Sequence, residues 1–265
     1  MGIAGSATAT LIGQSLSLTG LVIHLYRSDH FLCICPGEMH LFRIDWHIVR
    51  ILFVKGLPMG LQMVVVSSSM LVMITFVNRY GSQVTAAFAA AMQLWSYIQM
   101  PALALSASVS SMAAQNVGAG RWDRVSRIAS TGVLFNFLIS GTLIGVVYVL
   151  NSYALSLFLP PAGEALGIAI RINSMIVWSF AFFGVTMVLF GVVRATGATL
   201  PPLILLFVSL WLVRIPFAWL LQERLGQDAV WWSFPASSLV SVLLAIGYYR
   251  YGGWRSSRMD PTAAL

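Results

Sequence analysis

The sequence predicts an all-α membrane protein of about seven transmembrane helices, and three observations predict it. First, 58% of the 265 residues are hydrophobic and only 9% are charged. An ordinary soluble domain carries about 25% charged residues, and a globule of this size would still need a wetted surface. Second, apolar stretches long enough to cross a bilayer, which needs about 20 residues, recur along the whole chain. Third, the basic residues are sorted into alternate connections.

The spans read in order as 3–25, 54–77, 85–112, 128–150, 168–191, 199–221 and 230–250. An amphipathic lead-in over 44–55, with Arg50 and Lys55 among apolar residues, precedes the second. Spans one and two are separated by Arg27, Arg43, Arg50 and Lys55, and spans three and four by Arg121, Arg124 and Arg127. Arg194 follows span five, and Arg250, Arg255 and Arg258 follow span seven. The other connections hold Arg79, Arg171 and Arg224, so eleven basic residues stand against three. The positive-inside rule places the richer set in the cytoplasm, with the N-terminus of this chain extracytoplasmic and the C-terminus cytoplasmic, as in a multi-pass plasma or inner membrane protein. The net charge of +7 is thereby a topology signal, and no nucleic-acid partner is needed to explain it. Trp46, Trp122, Trp231, Trp232, Tyr248, Tyr249, Tyr251 and Trp254 fall near span ends, where interfacial aromatics belong. The odd span count, the outside N-terminus and the absence of a signal-peptide pattern lead us to expect the C-terminal part of a longer chain.

The stretch Gln115-Asn116-Val117-Gly118-Ala119-Gly120-Arg121 invites a phosphate-loop reading. It has no lysine and follows a helix-like segment, so neither a Walker loop nor a dinucleotide fingerprint fits. Gly118 and Gly120 are expected to end span three in left-handed conformations, and Asp123 to cap the next helix. Arg121, Arg124 and Arg127 should line one helix face at the head groups. In the linker, His30, Cys33, Cys35 and His40 match no common zinc spacing, so the expectation is no metal and no cofactor, with free thiols. No catalytic constellation is visible, and an enzyme is not expected.

Four motifs in order resemble the multidrug and toxic compound extrusion (MATE) family. They are Gly56-Leu57-Pro58 opening span two, Gln115-Asn116-x-Gly118-Ala119-Gly120-Arg121, Arg194-Ala195-Thr196-Gly197-Ala198-Thr199-Leu200-Pro201 and Arg214-Ile215-Pro216. In the third, Ala195 stands where the family pattern has a glycine. The resemblance implies a fold of twelve helices in two six-helix lobes around a central cavity, of which this chain holds the second half. Residues 1–25 would be the last helix of a missing N-terminal lobe, 26–49 a cytoplasmic linker, 50–251 the C-terminal lobe and 252–265 a cytoplasmic tail. It further implies ion-coupled antiport of drugs, organic cations or metabolites by alternating access. Some family members carry a glutamate about eight residues after the proline of span two. Here that count reaches Val66, flanked by Val65 and Ser67. All eight acids lie in loops or tails, so the coupling acid is placed in the missing lobe and H+ is favoured over Na+.

An ionisable group inside a span is costly and often functional. Arg214 is the single such group, and two readings stay open: an anchor for a network inside the lobe, or an arginine snorkelling to the outer face. Polar residues within spans should face other helices or a wet cavity. On this ground Gln62, Met73, Gln93, Tyr97 and Asn173 are the candidates for the substrate cavity, with Gln93 and Tyr97 one turn apart on one face. Met63, Met70, Met73 and Phe76, and separately Trp178, Phe182, Phe183, Met187 and Phe190, offer adaptable apolar faces suited to lipophilic cations. Plain helix packing explains any one of them as well. The pairs Ala104-x3-Ser108 and Gly141-x3-Gly145 should allow close helix approach. Two other function classes compete: a flippase for a lipid-linked precursor, which calls for several arginines within spans, and a seven-helix receptor or sensor, which fits the bare helix count.

Overall fold

The structure, a computed structural model, describes residues 2–28, 44–161 and 163–255. His30, Cys33, Cys35 and His40, the residues weighed as zinc ligands, lie outside the described residues. The chain divides into two compact units, Met1–Arg50 and Ile51–Leu265.

In the first unit, α1 runs over Gly2–Arg27, 26 residues with no acid in its first turn and His24 and Arg27 in its last. At 1.5 Å per residue this exceeds the roughly 30 Å hydrocarbon core. Leu11, Leu16, Leu18 and Leu21 are all exposed, a surface suited to lipid or to another apolar partner. Thr19 donates to the Ser15 carbonyl at 2.8 Å, so its hydroxyl is satisfied within the helix.

Helix α2 spans Trp46–Asn78. Asp45 Oδ1 accepts the His47 N–H at 2.8 Å, an N-terminal cap. Then follow α3 (Ser82–Gly118), α4 (Trp122–Val149), the short α5 (Asn151–Ser156) and α6 (Glu164–Ile176). A 3₁₀ turn, Val177–Ser179, leads into α7 (Phe180–Ala195). Helix α8 (Leu200–Phe207) continues through a π turn, Val208–Arg214, into α9 (Ile215–Leu225). Helix α10 covers Asp228–Tyr251. Predicted spans five and six are therefore each interrupted. The π turn has a local cause: Pro216 lacks the N–H that would bond the Leu212 carbonyl, so the backbone rewinds just upstream.

Among the described residues six helices are long and apolar enough to cross a membrane. The third predicted span is not one of the six. It is a helix, the 37-residue α3, but Gln83, Gln93, Gln99 and its many serines lower its hydropathy. Its neighbours compensate, because α7, α4 and α6 all pack along it. Its interior face is small and dry, with Ala87, Ala91, Ala102 and Ala113 buried.

Close approach occurs at glycines other than those the spacing pointed to. A Cβ on Gly141 or Gly145 would meet nothing within 4 Å. A Cβ on Gly132 would lie 2.7 Å from Val109 Cγ2, and one on Gly191 2.6 Å from the Ser106 carbonyl. Small-residue spacing marks a groove; only the neighbouring helix decides whether it is filled.

Several span hydroxyls bond within their own helices. Ser68 donates to Val64 O, Thr75 to Leu71 O, Ser108 to Ala104 O and Thr142 to Leu138 O. A hydroxyl reaches its own helix backbone one turn back and so tolerates a lipid-facing position. Amides, with more groups to satisfy, cross between helices: Asn136 Nδ2 donates to Ala181 O at 3.1 Å.

Candidate functional site

The second unit holds a partly open cavity of about 270 Å³ between α2, α3, α7, α8, the π turn and α10. Its apolar wall includes Trp95, Phe180, Phe183 and Phe234. The Trp95 ring centroid lies 5.6 Å from Phe88 and 5.7 Å from both Phe180 and Phe234, within the range of favourable aromatic pairs. The polar wall is formed by Ser96 and Gln99 of α3, Ser179, and Ser237, Ser238 and Ser241 of α10, with Arg214 at the end of the π turn. Among the described residues no Asp or Glu lines it. Val66 of α2, the position counted from Pro58, contributes an apolar side chain.

Arg214 turns into the lobe. Its Nε donates to Ser237 Oγ at 2.9 Å, and its Cζ lies 4.5 Å from the centre of the Phe234 ring, a cation–π distance. Of the two sequence readings, this geometry is that of the internal anchor. Arg171 pairs with Asp228 at 2.5 Å, with 62% of the Arg171 side chain exposed. A solvent-screened pair of that kind contributes little.

The five cavity candidates are dispersed. Gln93 and Tyr97 are exposed and joined, Nε2 donating to the Tyr97 hydroxyl at 3.2 Å. Gln62 is buried on α2. Met73 and Asn173 are fully buried, and none of the five lines the cavity. Asn173 instead holds the cavity wall from behind: its Oδ1 accepts the Trp95 Nε1–H at 2.8 Å, and its Nδ2 donates to Asn151 Oδ1 at 2.8 Å. Met70 lines the cavity, while Met63, two turns earlier on the same side of α2, is 74% exposed. Sequence reading missed the α10 wall. Its signal was available, because Phe234, Ser237, Ser238 and Ser241 follow the i, i+3, i+4, i+7 spacing of one helix face.

The motif residues around Gly120 and Gly197 lie at helix ends, whereas Arg214 and Pro216 lie mid-span. Gly120 takes φ +70 as its N–H bonds Val117 O at 3.0 Å and that of Arg121 bonds Asn116 O at 2.8 Å, the paired bonds of a Schellman cap. Gly118 is the last helical residue and has no positive φ, so one glycine makes this turn. Gln115 accepts from the Ala119 N–H at 3.1 Å. Asp123 sits in the first turn of α4 without capping it; Arg121 occupies the cap, and no side chain bonds there. An acid in that turn still faces the positive end of the helix dipole.

Gly56 and Pro58 both lie inside α2. Gly197 (φ +84) turns the chain toward Pro201 at the start of α8, and its carbonyl accepts from Lys55 Nζ at 3.0 Å. Arg194 reaches back to Ser106 Oγ at 3.1 Å, and Ser106 donates to Met187 O at 2.5 Å. Trp254 is buried against Tyr249, with ring centroids 5.0 Å apart, and against Trp122 at 6.2 Å. It also belongs to one cluster with Ala195 and Ala198. The start of α4, the end of α7 and the end of α10 thus share one end of the bundle. Asp228 is the first residue of α10, and Arg171 lies midway along α6.

A family model described as MatE matches residues 58–220. The chain is 36% identical over 253 residues to the "Probable multidrug resistance protein YoeA" of Bacillus subtilis (strain 168), covering 95% of this chain and 54% of that one. It is 34% identical over 260 residues to YpnP of the same organism, described in the same words, covering 98% and 57%. Among solved structures it superimposes with a TM-score of 0.83 on a MATE protein in complex with MaL6, at 19% identity, over 94% of this chain and 56% of that one. A multidrug resistance MATE family transporter in an outward-facing conformation gives a TM-score of 0.83 at 18% identity, over 94% and 56%. The chain spans about half the length of the curated relatives it matches.

Proposed function

This chain belongs to the MatE family, and from that premise we propose that it forms the C-terminal lobe of a secondary exporter for drugs, organic cations or related metabolites. The observation that carries the reading is the 36% identity to a relative described as a multidrug resistance protein, over 95% of this chain. The all-α fold of apolar helices supports it. In this reading residues 1–25 belong to the facing lobe, 26–49 form the linker, 50–251 the lobe and 252–265 the tail. The facing lobe corresponds to the part of the relatives that this chain does not match. The two lobes rock so that the space between them opens to alternate sides. A lipophilic cation binds there, and the exposed Gln93–Tyr97 pair on α3 faces it. Work is supplied by an ion whose affinity differs between the two states. Among the described residues the cavity wall offers no carboxylate to titrate, which favours H+ coupling through an acid of the facing lobe over a Na+ site in this one. The flippase and receptor alternatives are not favoured by relatives described as multidrug resistance proteins.

The test is dye efflux from cells that make this chain together with the unmatched N-terminal part of the YoeA relative. Accumulation of ethidium and other lipophilic cations is expected to fall several-fold, and a protonophore should restore it. No change across a panel of such dyes would sink the proposal, and efflux that follows a sodium gradient instead would overturn H+ coupling.

We also propose that the bundle end carrying Arg121, Arg124, Arg127 and Arg194 faces the cytoplasm of a plasma or inner membrane, with the N-terminus of this chain outside. In a Cys33→Ser, Cys35→Ser background, a cysteine replacing Arg124 should react with a membrane-impermeant maleimide only after the membrane is opened. Labelling in intact cells would reverse the orientation.

A further inference from the structure

The cavity of the second unit is walled largely by rings. Trp95, Phe180, Phe183 and Phe234 line it, together with Met70 and Met92. Flat rings and flexible thioethers make a surface on which an aromatic ligand packs well. The volume sets the size of that ligand. A dry apolar cavity of about 150 Å³ takes up benzene, so a space of about 270 Å³ has room for two fused rings and little more.

Few polar atoms are left for a ligand to meet. The hydroxyls of Ser96, Ser179 and Ser237 donate to the carbonyls of Gln93, Ile176 and Phe234, each three residues earlier. The Ser241 hydroxyl is fully buried without a partner, so it does not face the space. Ser238 and Gln99 remain. Both line the cavity, and among the described residues neither side chain has a hydrogen-bond partner. A hydroxyl and an amide each donate and accept, so they suit a neutral polar group and call for no charge on it.

Arg214 decides against one sign of charge. A free ring face attracts cations, but the cation over Phe234 is the protein's own guanidinium, 4.5 Å from the ring centre and held through Nε by Ser237. Among the described residues no acid lines the cavity to offset it. A second positive charge in this space would therefore meet a like charge at short range, and such repulsion sets specificity as much as attraction does. We propose that this cavity binds a small neutral bicyclic aromatic carrying one hydrogen-bonding group, and that Arg214 bars cations from it. The site lies within this chain alone, so it goes beyond the cation efflux proposed above and does not rest on it.

Indole is the probe. The purified full chain in lipid nanodiscs, blanked against empty nanodiscs, is dialysed to equilibrium with radiolabelled indole. Saturable binding is expected. Neutral 3-propylindole should displace it, while tryptamine, which carries an ammonium in place of the terminal methyl, should compete about tenfold more weakly. In Arg214→Gln tryptamine should gain several-fold on 3-propylindole, a gain that misfolding cannot produce. Ser238→Phe should fill the space and abolish saturable binding, with far-UV circular dichroism like that of the parent. If Ser238→Phe fails to fold, Ser96→Leu fills the cavity from α3 and decides in its place. If Arg214→Gln fails to fold, the contrast between the two competitors on the parent decides. No saturable indole binding, or binding that survives the filling substitutions, overturns the site. Equal competition by tryptamine and 3-propylindole on the parent overturns the exclusion of cations, and 1-methylindole binding as tightly as indole overturns the role of the hydrogen-bonding group.

Discussion

Replacing Gly191 by valine is expected to cost about 3 kcal/mol of stability and to reduce the folded yield sharply. A Cβ at that position would lie 2.6 Å from the backbone carbonyl of Ser106 and 3.0 Å from its Oγ. The obstacle is the α3 backbone, which has no rotamer to move away. Ser106 is also fixed from the other side, donating to Met187 O and accepting from Arg194. Only separation of α3 from α7 relieves the clash, and these two helices make the most extensive contact in the lobe. The effect should be graded, with Gly191→Ala costing about half as much. Gly141→Ala is the control: nothing lies within 4 Å of its Cβ, and alanine in a helix is favoured by up to about 1 kcal/mol over glycine. It should unfold at or above the parent temperature. Thermal unfolding followed by circular dichroism in detergent checks all three. A Gly191→Ala protein as stable as the parent would mean that α3 and α7 do not approach as described.

That contact illustrates what was legible in the sequence. Hydrophobic length placed the helices and basic residues sorted their connections, because both signals are local and additive along the chain. At α3 apolar length again placed a helix, although its hydropathy falls below that of the six and helix contacts supply the rest. Gly191 and Gly184 carried no spacing that set them apart from Gly141 and Gly145. What singles them out is the residue opposite, the Ser106 backbone for Gly191 and the Asn136 amide for Gly184, and that depends on pairs far apart in sequence. Arg214 was legible as an ionisable group in a span, but its direction depended on the π turn set by Pro216 and on Ser237 of another helix. The cavity wall behind it was the least legible part. Serines along α10 look like any serines that bond back to their own helix, as Ser233 does to Val230 O. Only the surroundings show that Ser241 lacks such a bond.

Asn173 is the second position where a large effect is expected, and its role is to position Trp95. It is fully buried, and its amide is used at both ends, accepting from Trp95 Nε1 and donating to Asn151 Oδ1, each at 2.8 Å. Asn151 in turn donates to Ile170 O at 3.3 Å, so the chain of bonds ties α3 to α5 and α6. Asn173→Leu is close in volume but strands the indole N–H and the Asn151 carbonyl. A stranded buried group costs about 1–3 kcal/mol, so a loss of roughly 2–3 kcal/mol is expected. Measured couplings between polar groups in membrane bundles are smaller, about 0.6 kcal/mol on average and up to about 1.7. The difference between the two scales is informative here, because the single substitution reports the orphaned partners and the cycle reports the bond itself. Trp95→Phe removes the donor while keeping an aromatic ring against Phe88, Phe180 and Phe234. Combined with Asn173→Leu it should cost less than the sum of the two by about 1 kcal/mol. Unfolding of the four proteins in detergent gives that cycle. Strict additivity would show that the indole is held by ring packing alone, and that Asn173 fills space without orienting the wall of the cavity.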